Sequence, residues 1–267
     1  MQNLTHILIC ENSIDGILSG IYRAYESRYG HSHIQLTTAD RLGTYELFCE
    51  YEEVSVDFQK AGKVSRTLQK EFGQEGFRTL CEAMSAWESP RDQTREMSKA
   101  NAVYKTVALG LARKEGARVL NYLSEPYVNR VFQLSRSTYY ESHHLLGFLR
   151  FAELENGLLF AQIHPKNYVL PLLADHFCDR LPQENFIIYD DSHKTAAFHK
   201  AGSSYLLADI PEADQAFMER YSAKEKEYRA LWLEFFHSIA IDARKNPSLQ
   251  SSNIPKRFWK DTVELKP

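Results

Sequence analysis

The chain has 267 residues with 43% apolar and 25% charged side chains, a composition that excludes a disordered tail or a low-complexity fibre and permits one large domain or two small ones. Its formal net charge of −3 excludes a global attraction to phosphate, so any contact with nucleic acid has to use a local basic patch. No run approaches the roughly 18 consecutive apolar residues of a membrane span and no basic leader precedes an apolar core, which reads as a cytoplasmic protein.

In chain order, His6 to Cys10 is a short apolar run. Ser13 is placed to cap a helix that carries Ile14, Ile17, Leu18, Ile21 and Tyr25 on one face and ends near Gly30. Strands are expected at His33–Leu36 and Tyr45–Val56, which makes residues 1–58 a small α/β element. Helical spacing then continues through 59–146 as a central bundle of four or five helices, with breaks at Gly73, near Ser89-Pro90 and near Ser124–Pro126.

From Gly147 the period drops to two, placing Arg150 in mid-strand on the same side as Phe148, with Asp190 as its expected partner. Asn156-Gly157 signals a type I′ hairpin into Leu158–His164. A helix from Tyr168 to Leu181 tolerates Pro171 in its first turn, and three further strands are expected at 186–189, 195–199 and 204–207. The last long helix carries Tyr228, Leu231, Trp232, Phe235, Phe236 and Ile239 as a broad stripe expected to cover a sheet. The fold class is thus α+β, with residues 147–267 forming a mainly antiparallel sheet covered by helices and followed by a basic tail.

Cys10, Cys49, Cys81 and Cys178 form no Cys-x-x-Cys pair, so no zinc or iron–sulfur site is assigned, no cofactor is implied, and buried free thiols are expected. Glu141 and His144 share a helical face, a carboxylate beside an imidazole that suits proton transfer. His176 and Arg180, four apart on a helix, can join His164 and Lys166 in a small cationic surface. Asp190-Asp191 with His193 is the spacing of a turn, and no metal is assigned to it. The segment from Arg244 to Lys260 holds Arg244, Lys245, Lys256, Arg257 and Lys260 without an acidic residue, interleaved with Phe258 and Trp259. Cations that neutralise phosphates beside an aromatic that stacks on a base form the chain's best nucleic-acid signal. Trp259 has an alternative role as an anchor for the tail. Phosphate-loop, dinucleotide, zincin and serine-hydrolase motifs are all missing.

Glu141-Ser-His143-His144-Leu-Leu-Gly-Phe148-Leu-Arg150-Phe151, then His176-Phe-Cys-Asp-Arg180, Phe186-Ile-Ile-Tyr-Asp190, Asn246-Pro247 and Pro255-Lys256-Arg257-Phe258-Trp259-Lys260 together resemble one uncharacterised bacterial family. Its members are described as probable DNA metabolism or putative DNA repair proteins. The chain departs from that pattern at Cys10–Ser13, where the family has Tyr-Asp-Gly-Ser, and at His144, where it has Arg. The resemblance implies a radical S-adenosylmethionine protein as partner, and some related chains are fused to a uracil-DNA-glycosylase-like domain. The expectation is a DNA-binding factor that uses Arg150, His176, Arg180, Lys256, Arg257, Trp259 and Lys260. The alternatives are a glycosylase-like enzyme acting on a nucleobase, with Glu141, His143 and Asp190 as catalytic candidates, or a protein–protein adaptor that never touches DNA.

Overall fold

The computed structural model describes residues 4–89, 94–211 and 218–265, apart from the side chains of Asp242 and Lys260. The chain divides into two compact units, Met1–Tyr140 and Glu141–Pro267. No described helix is long and apolar enough to cross a membrane. The fold is α+β, with a parallel sheet near the N-terminus and a mostly antiparallel sheet in the C-terminal part.

In the first unit, β1 (Thr5–Cys10) lies between β2 (Ile34–Thr38) and β3 (Cys49–Val54), both parallel to it. Each parallel connection needs a crossover. The first is α1 (Ile14–Ser27), capped by Ser13, whose Oγ accepts from the Gly16 amide at 3.0 Å. The long α2 (Phe58–Ser85) is broken at Gly73, whose φ of +69° is the left-handed region glycine enters without steric cost. The break expected near Ser89-Pro90 follows the end of α2, and Pro90 itself lies outside the described residues. α3 (Lys99–Arg113) follows, and α4 (Pro126–Phe148) starts at the proline that marks the third break. One apolar core joins this sheet to α1, α2, α3 and the start of α4 through Leu8, Ile17, Leu36, Leu68, Val103 and Val131.

The second unit holds a five-stranded sheet ordered β4-β5-β6-β7-β8, formed by Ala152–Glu153, Leu159–Ile163, Phe186–Asp190, Thr195–His199 and Tyr205–Asp209. All neighbouring pairs are antiparallel except β5 and β6, which run parallel because α5 (Leu170–Arg180) connects them. Leu170, Leu173, Ala174 and Phe177 repeat at helical spacing and pack α5 onto the face that carries Ala161, Ile163, Phe186, Ile188 and Ala197. The opposite face, with Phe160, Tyr189 and Ala196, is covered by Leu154, Met218 and Tyr221.

Four local expectations change. α4 continues to Phe148, so the strand expected from Gly147 shrinks to Ala152–Glu153 and Arg150 falls in the connection rather than in mid-strand. The Asn156-Gly157 turn is not type I′, which needs positive φ at both residues. Only Gly157 (φ +77°) has it, and the Gly157 amide donates to Leu154 O at 2.9 Å, the arrangement of a three-residue loop with a glycine bulge. Of the four thiols only Cys10 is fully buried.

The last long helix, α6 (Ala223–Ser238), does not cover a sheet. Tyr228, Leu231, Trp232 and Phe235 are exposed, because Met218 and Tyr221 already fill the face the helix was expected to occupy. It is held by its first turns instead: Glu225 accepts from the Glu153 amide at 3.3 Å, and the Arg229 guanidinium lies 4.1 Å from the Tyr221 ring centroid.

Lys99 in the first unit is buried, with Nζ donating to Ala86 O at 2.8 Å. Burial pushes its pKa down from 10.5 to about 8, opposed by the nearby Glu88 and Asp40 carboxylates and reinforced by Arg41. Between these two values the unfolded chain keeps a proton that the folded chain has lost, so this group's cost to stability falls as pH rises. Urea unfolding of the wild type and Lys99→Met should show the wild type gaining ~2 kcal/mol relative to the variant between about pH 7.5 and about pH 9.5. A difference that stays constant with pH would refute this assignment.

Candidate nucleic-acid interface

The parallel pair β5 and β6 ends at the registered partners Ile163 and Asp190. Two loops therefore leave the sheet side by side, one starting with His164 and the other with Asp191. The crevice beyond the carboxyl ends of this one parallel pair resembles the place where open parallel sheets bind their ligands. The C-terminal tail closes over this crevice.

After α7 (Pro247–Asn253) the chain forms a short 3-10 helix, Lys256–Asp261, in which side chains three apart eclipse. Phe258 and Asp261 consequently point inward together, and Lys256 and Trp259 share another face. Phe258 is fully buried and packs beside Phe148 and His144, with ring centroids 5.8 and 6.1 Å away. Asp261 Oδ1 lies 2.6 Å from His164 Nδ1, and its carboxylate is 2% exposed. The second oxygen of Asp261 is buried without a hydrogen-bond partner among the described residues, so the imidazole is the carboxylate's chief compensation.

Glu141 makes the other clamp. Its buried carboxylate accepts from the Lys166 and Asn167 amides at 3.1 and 2.7 Å and from Asn167 Nδ2 at 2.7 Å, and Arg257 Nη2 stands 3.3 Å from Oε1. This corrects the expected pairing with His144, whose ring packs among Phe148 and Phe258 instead. A carboxylate so fully engaged holds the β5–α5 loop and the tail in register.

Together these segments enclose a hollow of about 450 Å³ lined by His164, Pro165, Lys166, Ser192, Lys256, Arg257 and Trp259. Among the described residues its charged wall carries cations and no carboxylate. Lys256 and Arg257 are exposed, and Lys256 Nζ sits 5.9 Å from the Trp259 ring centroid. Trp259 is half-buried and donates through Nε1 to Ile254 O at 2.8 Å, which fixes the ring's edge and leaves it as one wall of the hollow. Beside it Phe258 is a fully buried anchor for the tail, and the half-buried Trp259 is tied back to Ile254. His164 Nε2 faces Asp191 Oδ2 at 3.4 Å, and Asp191 is engaged by Lys194 at 2.8 Å.

The other expected residues lie elsewhere. Arg150 donates to the Gly147 and Leu149 carbonyls at 2.8 and 3.2 Å and stands 3.8 Å from Glu264, so its ion-pair partner is not Asp190. Asp190 is fully buried and accepts from the Ser192 and His193 amides at 3.0 and 3.1 Å, with His193 Nδ1 2.7 Å away. These bonds make it the organiser of the β6–β7 turn, where Lys194 takes a positive φ of 56°. His176 and Arg180 are exposed on α5 and do not line the hollow. His143 is exposed and likewise lines no part of it. The Lys260 side chain lies outside the described residues. Sequence reasoning missed Asp261, Ser192 and the His164–Asp261 pair. The one available signal was the three-residue step from Phe258 to Asp261, which matters only once the tail is known to be a 3-10 helix.

The class defined is an α+β domain with a basic, aromatic-walled hollow at the carboxyl ends of a parallel strand pair. The chain belongs to the family of a domain of unknown function, DUF4130, which matches residues 97–264. That span includes every residue around the hollow. No curated protein matches the chain.

Glu141→Ala removes the acceptor for two loop amides and leaves Arg257 without its carboxylate. It should lower the free energy of unfolding by ~2–4 kcal/mol in denaturant titration. A loss below ~0.5 kcal/mol would mean that the clamp does not hold the loop and tail together.

Proposed function

We propose that this chain is a DNA-metabolism factor that binds a nucleic-acid strand through the hollow between the β5–α5 loop and the tail. The convergence of Lys166, Lys256 and Arg257 on a space walled by Trp259 carries this reading. Cations there offset phosphate charge, the indole offers a face to a base, and the overall charge of −3 confines attraction to this patch. The family resemblance in Glu141–Phe151 and Pro255–Lys260 points the same way. On this reading the partner it implies, a radical S-adenosylmethionine protein, supplies the chemistry, and this chain presents the strand.

The glycosylase-like alternative needs two of Glu141, His143 and Asp190 to converge on a base-sized pocket. Glu141 and Asp190 are consumed by backbone amides and none of the three lines the hollow, which favours a binding role.

Fluorescence anisotropy with single-stranded DNA should show affinity falling with salt. The double variant Lys256→Ala/Arg257→Ala should weaken binding and reduce the salt slope by about 1–2. Trp259→Ala should cost ~1–3 kcal/mol of binding. Absence of binding to single-stranded, duplex and lesion-containing DNA, with and without the partner protein, would leave the adaptor reading in its place.

A further inference from the structure

We infer that the hollow recognises the phosphorylated end of a strand, a terminal nucleotide bearing a phosphomonoester, rather than a stretch of continuous backbone. This inference rests on the nucleic-acid reading above and narrows it to a substrate class.

Continuous backbone is bound along a track, in which cations recur so that successive phosphates are each met. Of the expected strand-contacting cations whose side chains are described, Arg150, His176 and Arg180 do not extend the hollow into such a track. Arg150 is turned to its own backbone carbonyls and Glu264, and His176 and Arg180 sit exposed on α5 outside the lining of the hollow. The basic side chains that do line it come from two places in the chain, Lys166 from the β5–α5 loop and Lys256 with Arg257 from the tail, and they converge on one space. That space, about 450 Å³, lies within the range of pockets that take one small molecule and is of the size that suits a single nucleotide.

Charge separates the two kinds of phosphate. An internal diester carries one negative charge, whereas a monoester with its second pKa near ~6 carries between one and two at neutral pH and offers three oxygens. The cations that line the hollow suit the monoester better, Arg257 reaching it as a guanidinium whose Nη2 also stands 3.3 Å from Glu141 Oε1. Glu141, Asp261 and Asp191 are not among the described residues that line the hollow: Glu141 is engaged by loop amides and Arg257, Asp261 by His164, and Asp191 by Lys194 and His164. Trp259 then stacks on the terminal base, a position where no further base follows to compete for the same face.

Three internally labelled single-stranded oligonucleotides of identical sequence, with a 5′-phosphate, a 3′-phosphate or hydroxyls at both ends, are titrated with the full chain at fixed salt. A phosphate at one of the ends should tighten binding by about tenfold or more, and the affected oligonucleotide identifies which end is read. Inorganic phosphate should displace that oligonucleotide at concentrations that leave the hydroxyl-ended one bound. Lys256→Gln, at an exposed position outside the Glu141 clamp, should shrink the difference between ends at least severalfold while melting as the wild type does. Equal affinity for all three oligonucleotides overturns the end-recognition inference and leaves strand binding standing. Binding to none of them overturns both.

Discussion

The carboxyl-terminal unit depends on one buried charge. Glu141 sits near the end of α4, where its carboxylate is removed from water, and a carboxylate in that position is tolerated only when donors surround it. The donors are two backbone amides and one side-chain amide from the β5–α5 loop, with a guanidinium from the tail. None of these donors is near Glu141 in sequence. Satisfying the charge therefore forces three distant pieces of chain into one place, and the hollow is the space left among them. The hollow is in this sense a consequence of solvation: the carboxylate that brings the loop and tail together is buried and is not among the residues that line it.

The tail is fastened by three kinds of contact that reinforce one another. Phe258 contributes apolar burial, Asp261 an ion pair with His164, and Arg257 a second ion pair on the opposite side of the short helix. Because a 3-10 turn eclipses residues three apart, burying Phe258 also buries Asp261 and turns Lys256 and Trp259 outward. Burial of a single phenylalanine thus sets the orientation of both Lys256 and Trp259.

Much of the fold was legible because periodicity reports burial. The Ser13 cap, the Gly73 break, the helix over 168–181 and the strands at 158–164, 186–189 and 195–199 were readable, since each depends on neighbours close in sequence, whereas the alternation read from Gly147 was the end of a helix. The Glu141–His144 pairing failed for the opposite reason. Helical geometry says which residues share a face but not what that face meets, and a loop some 25 residues on supplied better donors for the carboxylate than an imidazole one turn away. Likewise the α6 stripe was read correctly as apolar, yet Met218 and Tyr221 had taken the sheet face first. The basic tail was visible as charge without acid, whereas the roles of Phe258 and Trp259 depended on a 3-10 turn that composition does not announce.

The same logic separates the residues that build the site from those that meet a ligand. Glu141, Asp190 and Asp261 are the chemically conspicuous carboxylates of this unit, and all three are buried or nearly so, each engaged by a donor from another segment or from its own turn. Their desolvation is balanced by those bonds, and taking a proton from a ligand would mean breaking them. Lys256 and Arg257 are exposed, Arg257 with its guanidinium 3.3 Å from Glu141, while Trp259 is held by its Nε1 bond. An arrangement with rigid carboxylates behind and adaptable cations in front is suited to holding an anion. Among the described residues that line the hollow, the imidazole is His164, which has carboxylates beside both ring nitrogens and so is part of the frame that holds the tail.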